Sequence, residues 1–237
     1  MRPPDLAARV LHRDGLMIII DKPAGIAVHA NPGARKGEGP PSLEDYFDQL
    51  RFGLPRPPAL AHRLDRDTTG CLVLGRHPKA LRKLHKLFLE GRVEKVYWAI
   101  VAAPPEKPSG TIDAPLEKRN DPSGWRVVVD PAGKPSAPTW RTLASGGGLT
   151  LIEARPKTGR THQIRVHLAH IGSPIFGDRL YGGPDGAMML HARRIRVPIA
   201  ATKPAVEATA PPPAAMRALL ESRIGWRDAP DPAEQEL

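Results

Sequence analysis

The unbroken apolar runs of this chain predict strands, and the polar stretches between them are rich in turn formers. Five consecutive apolar residues at 16–20 (LMIII) read as a buried strand, stopped by DKPAG at 21–25. Residues 26–28 (IAV) are expected to return as a second strand, and residues 1–15 read as a polar lead-in. The Gly/Pro-rich stretch 31–41 predicts a mobile loop. Ser42 then caps a predicted helix of about ten residues, with Leu43, Tyr46, Phe47 and Leu50 at helical spacing.

A Pro-rich loop at 53–58 leads into a largely polar piece, 62–70 (HRLDRDTTG), and an apolar run, 71–74 (CLVL), follows it. That order predicts a loop delivered to the edge of a sheet, where chemistry is often found. Residues 78–90 predict an amphipathic helix ended by Gly91: Leu81, Leu84, Leu87 and Phe88 line one side, Lys79, Arg82, Lys83 and Lys86 the other. Residues 95–101 (KVYWAIV) and 149–154 read as strands, and 104–148 as short strands and turns of undetermined order. A further helix is expected to open at Thr161 and close at Gly172. Ile164, Leu168 and Ile171 would form its apolar stripe, with His162 and Arg165 sharing another face. From Asp228 the chain is acidic, contains proline and reads as disordered. No internal repeat is visible.

Composition changes this picture in two respects. The 28 prolines and 22 glycines among 237 residues imply many turns, while 41% hydrophobic residues leave enough for a sizeable core. Thirty-five Lys and Arg against 25 Asp and Glu give a net charge of +10, and the sequence pI is near 10.1. Such a bias suits a polyanionic partner, a nucleic acid or a membrane surface, although general solubility accounts for it equally well. Cys71 is the single cysteine, so no intrachain disulfide forms. No apolar run reaches the length of a membrane span, and the expected location is the cytoplasm.

Asp65 is the first chemical candidate. It lies between Arg63 and Arg66, and a carboxylate beside guanidinium groups stays ionised. Such a group can act as a nucleophile or stabilise charge opposite an electron-poor sugar carbon; a surface ion pair explains the spacing too. HRLD superficially matches the catalytic loop of protein kinases, yet a Gly-rich nucleotide loop is missing, as is any GxxxxGK[ST]. His162, His167 and His170 do not fit a zinc motif, and no metal or cofactor is expected. Cations concentrate at 79–95, at 155–170 (Arg155, Lys157, Arg160, Arg165) and at Arg193, Arg194 and Arg196. Solvated helix faces explain the first cluster as well as RNA does; the three together favour a phosphate-binding surface.

Several pieces, in order, closely resemble the RluA-type pseudouridine synthases over about residues 10–200. Residues 21–29 (DKPAGIAVH) are similar to the first motif of that family, and 62–70 to the second, which carries its aspartate. Residues 94–99 (EKVYWA) resemble the strand bearing its tyrosine, and 158–168 (TGRTHQIRVHL) its third motif. Gly177-Asp178, Tyr181-Gly182 and Leu190-His191-Ala192 follow. Thr69 stands where the family commonly has serine, and the small RNA-binding module that often precedes the catalytic domain is not seen.

The resemblance implies an α+β catalytic domain over 10–227, with 1–9 as a lead and 228–237 as a tail. Its centre would be a mixed or antiparallel sheet with flanking helices and an RNA-binding cleft. It implies isomerisation of uridine in ribosomal or transfer RNA, by a cofactor-free enzyme acting as a monomer. The uridine would leave its stack, at a cost of a few kcal/mol. Asp65 would be the essential carboxylate, attacking the anomeric carbon or assisting proton removal from the sugar. Arg165 would pair with it, and Tyr97 would pack on the base. Arg63 would fill the space the base vacates, and His62, Arg160, His162, Gln163, Lys83 and Lys86 would contact RNA. Three other readings stay open. A catalytically silent RNA-binding protein would show no turnover, a sugar hydrolase using Asp65 and Asp67 would release uracil, and a membrane-surface protein would need an amphipathic anchor.

Overall fold

The computed structural model describes residues 3–30, 39–121, 124–200 and 202–226. Residues 31–38 of the loop expected at 31–41, and the acidic tail, fall outside them. Along the chain run β1 (Val10–Arg13), β2 (Met17–Lys22), β3 (Ala59–Leu60), β4 (Thr69–Gly75), α1 (Pro78–Leu89), β5 (Glu94–Val101) and β6 (Ser109–Thr111). Then follow β7 (Leu116–Asp121), β8 (Gly124–Val129), β9 (Thr139–Gly146), β10 (Leu149–Arg155), α2 (Gln163–His170), β11 (Leu190–Val197), β12 (Val206–Thr209) and α3 (Ala214–Leu219). The fold is α+β. Contacts group the chain into two compact units: residues 1–97, 155–162 and 190–211 form the first, and 98–154, 163–189 and 212–237 the second.

In the first unit the strand order is β1-β2-β4-β11, with β3 on β4 and β12 on β11. All of these pairs are antiparallel except β4 with β11, where His191 lies opposite Thr69 and Ala192 opposite Gly70. The apolar runs of β2 and β4 are continuous because both faces of the sheet are covered. Ile18, Ile20, Leu72 and Leu74 join one cluster with Leu6, Leu43 and Phe47, while Met17, Ile19, Cys71 and Val73 join another with Leu84 and Leu87. The first cluster is roofed by a 3-10 helix, Leu43–Leu50, whose start is fixed by a capping box between Ser42 and Asp45. The second is roofed by α1, which begins with Pro78 and whose first turn is capped by the His77 ring.

The N-terminal lead-in is more ordered than its polarity suggests. Leu6 is fully buried, and Val10–Arg13 pairs with β2 as a strand. Residues 26–28 do not form the expected strand. Ile26 and Val28 are buried, but the Ala27 carbonyl accepts from Leu43 N–H rather than joining a ladder.

In the second unit β10-β9-β6 are neighbours, β6 running antiparallel to β9, and β7 and β8 form a separate two-stranded ribbon. Expected only as unordered short strands, residues 104–148 therefore supply four of them. The helix expected from Thr161 begins at Gln163, because His162 adopts a left-handed backbone with φ of 53°. Gly172, with φ of 77°, closes it as expected. Among the described residues no helix is long and apolar enough to cross a membrane.

Candidate active site

The loop 62–70 leaves β3 and enters β4, and it is held at four points inside the first unit. His62 stacks on Phe88 of α1 with ring centroids 4.5 Å apart, and its Nε2 accepts from Val73 N–H at 3.0 Å. Burial, aided by the Lys95 charge, lowers its pKa to about 3, so the ring is neutral. Leu64 sinks into the Ile18 cluster, leaving Arg63 exposed on one side and Asp65 partly covered on the other.

Lys22 is the second holding point. At the end of β2, opposite Gly70, it is fully buried and donates to the carbonyls of Pro23, Arg66 and Thr68 at 2.8, 2.8 and 3.0 Å. One ammonium thus ties the DKPAG turn to the Asp65 loop, and the Gly25 N–H bond to Arg66 O adds to the tie. Burial lowers the Lys22 pKa to about 8, against the opposing pull of Asp67, Asp65 and Asp21.

The exit of the loop is the third point. His191 Nε2 faces the Ala210 carbonyl and must carry the ring proton, so Nδ1 accepts from the Thr69 hydroxyl at 2.8 Å. Burial lowers the His191 pKa to about 4. Gly70, with φ of 103°, is the fourth point. A Cβ there would lie 2.3 Å from the Ala192 carbonyl oxygen, so only glycine lets β4 approach β11.

Asp65 stands within this frame with 19% of its side chain exposed, whereas Asp67 is 52% exposed beside Arg66. Tyr97 packs against the Ile18 cluster. Burial first, and the Asp65 carboxylate second, hold its phenol above the ordinary tyrosine range, so it keeps its proton at neutral pH. His162 Nε2 lies 3.9 Å from Asp65 Oδ2, an electrostatic contact when protonated but too long for a hydrogen bond. The loop that carries His162 is pinned by Lys95, whose Nζ donates to Thr158 O at 2.8 Å. Of the predicted residues in this unit, Asp65, Tyr97 and His162 come together. Arg160 is exposed on the Thr158 loop, and Lys83 and Lys86 are exposed on α1, where Lys86 faces Glu90 at 3.7 Å.

The second unit carries Arg165 and Gln163 on α2, both buried. Arg165 binds Asp178 through two parallel hydrogen bonds, Nε to Oδ2 at 2.7 Å and Nη2 to Oδ1 at 2.8 Å. Its guanidinium also lies 5.1 Å from the centroid of the Tyr181 ring. Asp178 is 1% exposed, so this is a fixed, directional clamp on the arginine.

Sequence reasoning gave no role to Lys22, Lys95, Thr69, His191 or Asp178. The one signal available for Lys22 was a cation directly following a strand, and its partners lie 44 and 46 residues away. No group of three or more metal-ligating side chains occurs among the described residues.

Comparison with known proteins agrees with the sequence motifs. Residues 16–170 match the RNA pseudouridylate synthase family. An uncharacterised RNA pseudouridine synthase of Zymomonas mobilis is 47% identical, the match covering 90% of this chain and 97% of that protein. The ribosomal large subunit pseudouridine synthase C of Buchnera aphidicola (from Acyrthosiphon pisum) is 39% identical over 76% of this chain, which spans 56% of that relative's length. Among solved structures, human RNA pseudouridylate synthase domain containing 4 superposes with a TM-score of 0.75 at 26% identity, covering 91% of this chain and 93% of that one. The chain therefore belongs to the RNA pseudouridylate synthases, isomerases that convert uridine to pseudouridine in RNA.

Proposed function

We propose that Asp65 is the carboxylate that carries the isomerisation, with Tyr97 against the base and Arg165 as the cation that keeps the site oriented. The observation carrying this reading is the frame around Asp65. A fully buried lysine, a neutral histidine stacked under the loop and a buried Thr69–His191 bond all hold one polar loop, and Asp65 is its partly covered acid. Preorganisation of that kind is what attack at an anomeric carbon, or proton removal from the sugar, requires. Asp67 is too exposed to serve as the fixed second carboxylate of a hydrolase, which supports isomerisation over release of uracil. Tyr97 keeps its proton, so at rest it serves as a packing surface for the base rather than as a base itself.

The substrate is a uridine in structured RNA. The name of the Buchnera relative supports large-subunit ribosomal RNA as the first target to test, with transfer RNA as the second. Arg63 would fill the space the base vacates, and Arg160 and the α1 lysines would meet phosphates around it. Asp65→Asn is expected to abolish pseudouridine formation on unmodified transcripts while leaving RNA affinity within several-fold. Turnover surviving in that variant removes Asp65 from the mechanism. Mapping pseudouridines in cells with and without the gene identifies the RNA.

A further inference from the structure

The ribbon of β7 and β8 has two ends with different surroundings. At its base, Leu116 and Val127 pack with Val166 of α2, and Tyr181 and Val129 close the cluster. The Tyr181 hydroxyl accepts from Val127 N–H at 3.1 Å, so the ribbon is anchored to the same tyrosine that lies beneath Arg165. A two-stranded ribbon is marginal alone, and this anchoring supplies its stability. Beyond the cluster the same face continues with Asn120 opposite Trp125 and with Lys118 opposite Val127. Trp125 is 42% exposed and takes no part in the apolar cluster. The Lys118 ammonium sits 4.5 Å from its ring centroid. On the opposite face Arg119 and Arg126 lie directly across from one another, an arrangement that costs stability in a ribbon, and Arg119 also meets Asp130.

Exposed aromatic surface flanked by cations on both faces of a ribbon has a specific chemical complement. A base supplies a flat π-face, and the phosphates on either side of it supply negative charge. We propose that the β7–β8 ribbon is a second RNA-contact surface, on which Trp125 stacks with an unpaired base outside the target uridine while Lys118 and Arg126 meet the neighbouring phosphates. The inference rests on RNA being the substrate and goes beyond the residues of the Asp65 loop. Its reach follows from the anchoring: RNA held at Trp125 lies alongside α2, the helix that carries Arg165. A purely structural Trp125 would instead serve only to shield the ribbon's own backbone.

The test uses the full chain and an unmodified large-subunit ribosomal RNA transcript, read both by binding and by turnover. Trp125→Ala should raise Kd and KM about tenfold, the loss expected for one base–aromatic stack, with kcat unchanged and with Trp125→Phe restoring most of the affinity. Lys118→Gln and Arg126→Gln should each reduce the slope of log affinity against log salt by about 0.7, which a structural role would not move. Unchanged affinity in Trp125→Ala, or unchanged salt slopes in both cation variants, overturns the proposal. The binding arm decides this even if the wild type forms no pseudouridine on the transcript, an outcome that counts against the proposed target rather than against the ribbon. An acidic protein that competes for the ribbon, with RNA affinity unaffected by any of the three variants, would also overturn it.

Discussion

Lys22 is a residue whose charge serves geometry. Replacing it by methionine removes three charge-assisted hydrogen bonds but also removes a desolvated ammonium, and these effects oppose one another. Near-neutral stability is therefore expected to change little in Lys22→Met, while kcat falls tenfold or more because the Asp65 loop loses its tether. The pH dependence separates the two effects. In the folded chain the Lys22 pKa is about 8, below its ordinary 10.5, so between those values the unfolded chain holds a proton that the folded chain has released. Stability from this group therefore rises as pH goes from about 8 to 10.5. Urea unfolding over that range should show the rise in the wild type and a smaller one in Lys22→Met; parallel curves would exclude a buried charge at this position. None of this was visible in the sequence, where a lysine after LMIIID reads as the polar end of a strand. Asp65, the proposed carboxylate, stood out in the sequence only because residues 62–70 resemble a family motif; its spacing between two arginines suits a surface ion pair as well.

At the scale of elements, legibility followed how each element buries its side chains. β2 and β4 announce themselves because both faces are covered, and α1 because its apolar stripe has helical spacing. β1 was hidden in VLHR, where pairing with Ile18, Ile19 and Ile20 makes the strand and its own side chains do not. The start of α2 was displaced by the left-handed His162, a backbone state that no spacing rule anticipates. The β4–β11 crossing yields a prediction at this scale. Gly70→Ala would place a methyl group 2.3 Å from the Ala192 carbonyl at a φ of 103°, parting the two strands and breaking the Thr69–His191 bond. A loss of at least about 2 kcal/mol in denaturant unfolding is expected, with activity falling too. Gly91→Ala, with its nearest contact at 3.5 Å, is the control and should cost about 1 kcal/mol.

For the whole molecule, the order in which segments arrive matters. The first unit is assembled from three stretches, and its Thr69–His191 bond closes over 122 residues of chain. Pairings of such long range form late, because the entropy of closing the loop precedes any reward from the contact. A chain cut after residue 189 should therefore bind RNA poorly and form no pseudouridine, although it contains Asp65, Tyr97 and Arg165. Adding back a peptide covering 190–211 is the measurement that would show whether the missing strand alone accounts for the loss.

The parallel pairing of β4 with β11 thus has a temporal meaning. During synthesis Asp65 and Tyr97 are made well before residues 190–211, so the Asp65 loop emerges without the strand that clasps it from behind. Isomerisation should therefore begin only after residues 190–211 have joined the first unit.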